Sequence, residues 1–220
     1  MKTFHCDRCR QLVFFENVRC VHCGHALAYL PDRQEMGALR ASGDGRWRYE
    51  VDGERPQAYR LCLNYSQENV CNWAIPANAP GLYCLSCRLT RVIPDLSHPG
   101  HREAWYRLEF AKRRLVYSLV RLGLPLSASG QARGLVFEFR ADLDPPGSGP
   151  VMTGHVHGLI TIDLAEADDA ERERRRRHMH EPYRTALGHF RHEVGHYYWE
   201  RLVQGSDLIG AFRGRFGDER

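Results

Sequence analysis

Apolar residues recur at spacings of three and four in two stretches of the chain, and both predict helices. The first covers residues 99–122, where Trp105, Leu108, Phe110, Leu115, Leu119 and Leu122 supply an apolar face. Pro99 suits a first helical turn, and Gly123 and Pro125 end the pattern. In the second, Leu187, Phe190, Val194, Tyr198 and Leu202 form the stripe and Thr185 is placed as the N-cap. Strands are expected at Gln11–Phe15, Trp47–Val51, Leu135–Arg140 and Gly158–Leu164. Residues 24–60 otherwise read as a connector with some structure, broken by Tyr29-Leu30-Pro31-Asp32 and by the turn signal Gly43-Asp44-Gly45. Asp144–Pro150 reads as a loop, and Gln204–Asp207 as a turn. Asp168–His180 is charged throughout, with Arg172 and Arg174–Arg177 inside it, and reads as a solvated helix face.

The polar side of the second helix carries the chemistry. His192, Glu193 and His196 spell HExxH. Residues four apart lie one turn apart on one helical face, so both imidazoles can reach one zinc ion. Glu193 lies beside them, where a carboxylate can take a proton from a water activated by the metal. That arrangement points to a metal-assisted hydrolase, and above all to a peptidase.

Eight cysteines change the picture of the other half. Cys6, Cys9, Cys20 and Cys23 form two CxxC pairs separated by ten residues, the spacing of a zinc ribbon. Gly24 follows the second pair, where a positive φ is useful. A module of about 30 residues cannot hold itself by a core, so the metal supplies the folding energy. His5, His22 and His25 are expected at the surface, since four thiolates complete the shell. Cys62, Cys71, Cys84 and Cys87 make a second, less regular set, read as a second structural zinc site. Trp73 and Pro76, between its halves, are expected to pack locally rather than to stack on bases.

Composition adds limits. The 220 residues, 43% hydrophobic and 26% charged, suit a globular protein with one core and a small module. The net charge of +4 is carried almost wholly by arginine, Lys2 and Lys112 being the lysines, and does not argue for nucleic acid. No apolar run approaches the roughly 20 residues of a membrane span. The start, Met1-Lys2-Thr3-Phe4-His5-Cys6, has no signal-peptide apolar region, so the expectation is a cytoplasmic protein with reduced thiols and no membrane partner.

These motifs resemble the zinc-binding metallopeptidases that carry an N-terminal zinc ribbon, a family related to the gluzincins. The matching stretches are the Cys6–Cys23 ribbon, Thr153-Gly154-His155-x-x-Gly158-x-Ile160-Thr161, Glu166-Ala167-Asp168, Tyr183-Arg184-Thr185, Gly188–Trp199 and Phe216–Arg220. The resemblance implies an α+β architecture: a zincin-like domain, with a small sheet over the HExxH helix, preceded by one or two four-cysteine modules. The implied divisions are 1–30, 31–97 and 98–220. It implies that Gly158–Leu164 is the edge strand of the cleft, with Gly158, Ile160 and Ile162 binding an extended peptide by β-augmentation. It also implies a carboxylate ligand on the following helix, for which Glu219 is preferred over Asp218. The family pattern continues past Arg220, so an oxyanion-stabilising residue is expected beyond it and the domain reads as truncated.

Three functions stay open on these grounds. The first is a zinc peptidase acting on peptides or proteins, with one catalytic and two structural zinc ions and Glu193 as general base. The second is a DNA-associated protease like the SprT-like enzymes, disfavoured because the ribbon comes first and no histidine follows His196. The third is a zinc-ribbon module that binds protein or nucleic acid, with a silent HExxH site.

Overall fold

A computed structural model describes residues 2–126, 134–142, 151–182 and 184–219. The expected loop at Asp144–Pro150, together with Tyr183 and Arg220, lies outside the described residues. The chain forms two units, Met1–Arg88 and Leu89–Arg220.

In the first unit a short hairpin, β1 (Phe4–His5) and β2 (Leu12–Val13), carries the first cysteine pair. It is followed by β3 (Ala26–Leu30), β4 (Glu35–Ala41), β5 (Trp47–Tyr49), β6 (Gln57–Leu61), the single turn α1 (Leu63–Ser66) and β7 (Ala74–Pro76). β3 to β7 form a five-stranded antiparallel meander. The expected connector at 24–60 is therefore mostly sheet. Its strands escape a period-two reading because β3 and β4 each bury four successive residues, so inward and outward positions do not alternate. Phe15, Tyr29 and Trp73 pack ring on ring in the core, with centroids 4.6–6.2 Å apart. Trp73 is fully buried, as a packing residue should be. The Asp7 carboxylate accepts the Ala38 N–H at 3.1 Å and ties the hairpin to the sheet.

The second unit contains β8 (Thr90–Val92), α2 (His101–Arg121), β9 (Val136–Arg140), β10 (Gly154–Val156), β11 (Leu159–Asp163), α3 (Asp169–His178), α4 (Ala186–Leu202) and α5 (Ile209–Phe216). Its sheet begins before the boundary expected after residue 97, because β8 pairs with β9. The helix expected from Pro99 starts at His101, after Gly100, whose φ of +85° suits an N-cap turn better than a helical residue. Phe137 and Phe139 of β9 meet Phe190 of α4 at 5.8 and 6.2 Å. Lys112 of α2 lies over the same two rings and is held by Glu109 at 2.7 Å and by Thr90. The sheet thus covers both α2 and α4. Among the described residues, no helix is long and apolar enough to cross a membrane.

The strand order β10-β11-β9-β8 corrects one expectation. β11 is not an edge strand: β10 pairs with it on one side and β9 on the other. Ile160 and Ile162 are buried, and the ladder hydrogen bonds that a peptide would need are already used. Gly158 likewise serves the turn. His157 and Gly158 both have positive φ, +48° and +91°, as a two-residue hairpin turn requires. A Cβ on Gly158 would lie 2.6 Å from the Gly134 backbone oxygen and 3.2 Å from Tyr197. Gly158→Ala is therefore expected to destabilise the second unit by about 3 kcal/mol, read from denaturant unfolding at unchanged m-value.

Candidate metal centres

Each cysteine pair of the ribbon sits in a tight knuckle. Arg10 N–H donates to the Cys6 carbonyl and Gly24 N–H to the Cys20 carbonyl, at 2.8 and 2.9 Å. Gly24 has the expected positive φ, +73°. The four thiols converge, with Cys6 Sγ 3.6 Å from Cys23 Sγ and Cys9 Sγ 3.6 Å from Cys20 Sγ. Four sulfurs around one zinc at its usual bond length stand about 3.8 Å apart along each tetrahedral edge, whereas a disulfide needs about 2 Å. The donor set and its spacing thus fit tetrahedral zinc. His5, His22 and His25 are not part of the group.

The second set is more deeply placed: Cys62, Cys71, Cys84 and Cys87 are all buried. Cys71 Sγ and Cys84 Sγ lie 3.8 Å apart. Backbone N–H groups of Trp73, Cys84 and Cys87 point at the sulfurs of Cys71, Cys62 and Cys84 at 3.3–3.5 Å, the aim that stabilises thiolates. Burial pushes the Cys84 thiol up and the Cys6 thiol to about 12, so a cation between the sulfurs is what would keep them ionised.

The HExxH helix starts as its sequence predicts: Thr185 Oγ1 accepts the Gly188 N–H at 3.0 Å. Phe190, Val194 and Tyr198 are buried, while His192 and His196 are exposed on the other face. Their Nε2 atoms stand 3.1 Å apart. Two imidazoles on one zinc would be about 3.3 Å apart, so the pair fits one edge of a metal site. Glu193 is buried between these faces and ionised: burial opposes its charge, but His189 outweighs burial and lowers its pKa.

Glu219 does not join the two histidines. Gly217, with φ +90°, turns the chain back after α5, and the Glu219 carboxylate takes both an Nε and an Nη of Arg213, at 2.9 and 2.7 Å. Among the described residues, the only groups of three or more metal-ligating side chains within reach of one another are the two cysteine sets.

Several residues near the site lie in or beside the stretches that match the family pattern, but the sequence assigned them no role. His189 Nε2 lies 3.2 Å from Glu193 Oε1. Its Nδ1 lies 3.5 Å from Glu166 Oε2 and 3.3 Å from Arg184 Nη2. Glu166, fully buried, also receives Arg184 at 2.7 Å and Arg175 at 3.1 Å, and Arg175 reaches Asp163 at 2.6 Å. Burial disfavours the Glu166 charge, but His189 and Arg184 outweigh it and hold the carboxyl at about 2. Burial likewise opposes the His189 cation, yet Glu166 and Glu193 raise it to about 9. α3 itself has no buried residue and is the solvated helix its charge run suggests, but Arg175 bends inward from it. His155 of β10 stacks beside His196 with ring centres 6.3 Å apart, and burial lowers its pKa. The signal for His189 was available, since it precedes Glu193 by four and shares its face; the partners of Glu166 come from other elements, and no local spacing pairs them with it. A cavity of about 980 Å³ opens beside Glu193, walled by Met152, Met179, Pro182, Arg184, His189 and His192 among others.

Residues 101–220 match the family described as "Putative zinc-binding metallo-peptidase". The chain belongs to that family. Residues 3–98 match a zinc-ribbon domain. The uncharacterized proteins Rv2568c of Mycobacterium tuberculosis and Mb2598c of Mycobacterium bovis are each 39% identical to the chain over 221 residues. The match covers 99% of this chain and 59% of each relative, so the chain spans about three-fifths of their length. No solved structure matches it. The molecule is thus a mixed α/β member of a zinc-binding metallopeptidase family with two four-cysteine clusters in its first unit.

Proposed function

We propose that the second unit is a zincin-like peptidase domain that hydrolyses peptide bonds, with zinc held by His192 and His196 and Glu193 as general base. The observation that carries this reading is the pair of Nε2 atoms 3.1 Å apart beside a buried Glu193 at the wall of a large cavity. Zinc bound there would supply a Lewis acid that polarises the scissile carbonyl and acidifies a water. The Glu193 carboxylate accepts the proton of the attacking water as its oxygen bonds the carbonyl carbon. Glu193 then returns the proton to the leaving amine nitrogen as the C–N bond breaks. β10, terminal among the described strands of its sheet and adjacent to His196 through His155, is the strand along which an extended substrate would lie. Two further zinc ions would sit in the cysteine sets, and eight cysteines kept as thiols suit a reducing, cytoplasmic setting.

Glu193→Gln is expected to lower hydrolysis of a peptide library by about 10²–10⁴-fold while zinc content stays at three per chain. Zinc content should fall from three to two in His192→Ala. A second reading has its own support: Glu219 is engaged by Arg213, and among the described residues no third ligand joins the histidines. In that reading the site is silent and the cysteine clusters form a binding module. Two zinc ions in both proteins and no hydrolysis would favour it.

A further inference from the structure

The HExxH motif contains two ligands and a base, but the structure adds a clamp behind the base. Glu193 leaves α4 with three rotatable side-chain bonds, so its carboxylate is not aimed by the helix alone. One of its oxygens, Oε1, lies 3.2 Å from His189 Nε2, one turn earlier on the same face. The other nitrogen of that imidazole faces Glu166 and Arg184, and these two are locked to each other at 2.7 Å. Glu166 is fully buried and Arg184 nearly so, which gives the imidazole a fixed seat.

We propose that His189 is a positioning residue that holds Oε1 of Glu193 and leaves the second carboxylate oxygen directed at the reacting water. The contact forms in either charge state of the ring. As an imidazolium, His189 donates from Nδ1 to Glu166 and from Nε2 to Glu193. As a neutral ring it accepts from Arg184 at Nδ1, because a guanidinium only donates, and Nε2 still carries the proton toward Glu193. In both states Nε2–H meets a carboxylate that can only accept. Glu166 and Arg184 therefore fix the ring, and the ring fixes the base. A preformed orientation of this kind shortens the search for the reactive geometry without touching the substrate.

The consequence for turnover rests on the peptidase reading; the clamp itself does not, and the test separates them. The full chain, zinc-loaded and labelled with ¹⁵N-histidine, gives two-bond ¹H–¹⁵N correlations for each ring. His189 is expected to carry a proton on Nε2, and its Nε2 signal is expected to shift in Glu193→Gln and its Nδ1 signal in Glu166→Gln. A bare Nε2, or an Nε2 signal indifferent to Glu193→Gln, would overturn the proposal. In the kinetic arm, His189→Ala is expected to lower kcat by about 10- to 100-fold with KM and zinc content unchanged. His189→Gln, whose amide nitrogen can occupy the place of Nε2, is expected to recover part of the loss. An unchanged kcat in His189→Ala, or no recovery in a folded His189→Gln, counts against positioning. A wild-type protein that cleaves nothing while the NMR contacts are present overturns the peptidase reading and leaves the clamp standing.

Discussion

Stripping zinc from the second cysteine set is expected to unfold the sheet of the first unit, with loss of protection against hydrogen exchange at residues 26–76. Cys62 closes β6 and Cys71 precedes β7, so one metal joins the last two strands of the meander to the knuckle at Cys84 and Cys87. All four sulfurs are buried. Structural zinc contributes about 10–16 kcal/mol in small metal-folded peptides, which is as large as or larger than most of the roughly 4–13 kcal/mol of total stability usual for a domain of this length. The aromatic core around Phe15, Tyr29 and Trp73 is real but cannot replace a term of that size. Cys71→Ser should therefore lose one zinc per chain and expose the sheet, as should excess chelator. Cys23→Ser, in the half-exposed first set, should loosen chiefly the hairpin and the knuckles. Unaltered exchange protection at residues 26–76 in a zinc-depleted Cys71→Ser protein would show that the apolar core suffices.

Glu166→Ala is expected to destabilise the second unit by about 3–5 kcal/mol, because it strands Arg184, Arg175 and His189 around a buried gap. The pH dependence gives the effect a signature. Glu166 ordinarily titrates near 4.5 and is held at about 2 in the fold, a difference worth about 3 kcal/mol. A lowered carboxyl pKa stabilises the folded state fully above the unfolded value and loses that stabilisation as pH falls through the folded value. The gap between wild type and Glu166→Gln should therefore be constant from about pH 7 to 5, shrink below pH 4.5, and approach its minimum near pH 2. Denaturant titrations at pH 7, 4 and 2.5 read this directly. A gap that does not change over that range would mean that the cations around Glu166 are solvated instead of paired.

The candidate site was unevenly legible in the sequence. His192, Glu193 and His196 sit in a local pattern, and a helix places residues four apart on one face whatever surrounds it. The first cysteine set was legible for the same reason, since each CxxC is closed by its own knuckle. Glu219 misled, because its distance along the chain from His196 suited a ligand while Gly217 turns it onto Arg213. Ile160 and Ile162 misled differently: an apolar strand of this length has the same pattern at an edge as in the interior. Only the pairing with β10 and β9 distinguishes them.

What the sequence by itself determined is therefore the chemistry held within single turns and single helices: eight thiols in two sets, two imidazoles one helical turn apart, and a carboxylate beside them. Those positions are fixed by backbone geometry over a few residues. What only the tertiary structure decided is the company that Glu193 keeps. His189 lies on the helix of Glu193, but Glu166 follows β11, Arg175 comes from α3 and Arg184 from the segment before α4. Burial gives their charges a strength that spacing along the chain cannot encode, because the cost of an unpaired buried charge is set by what surrounds it after folding.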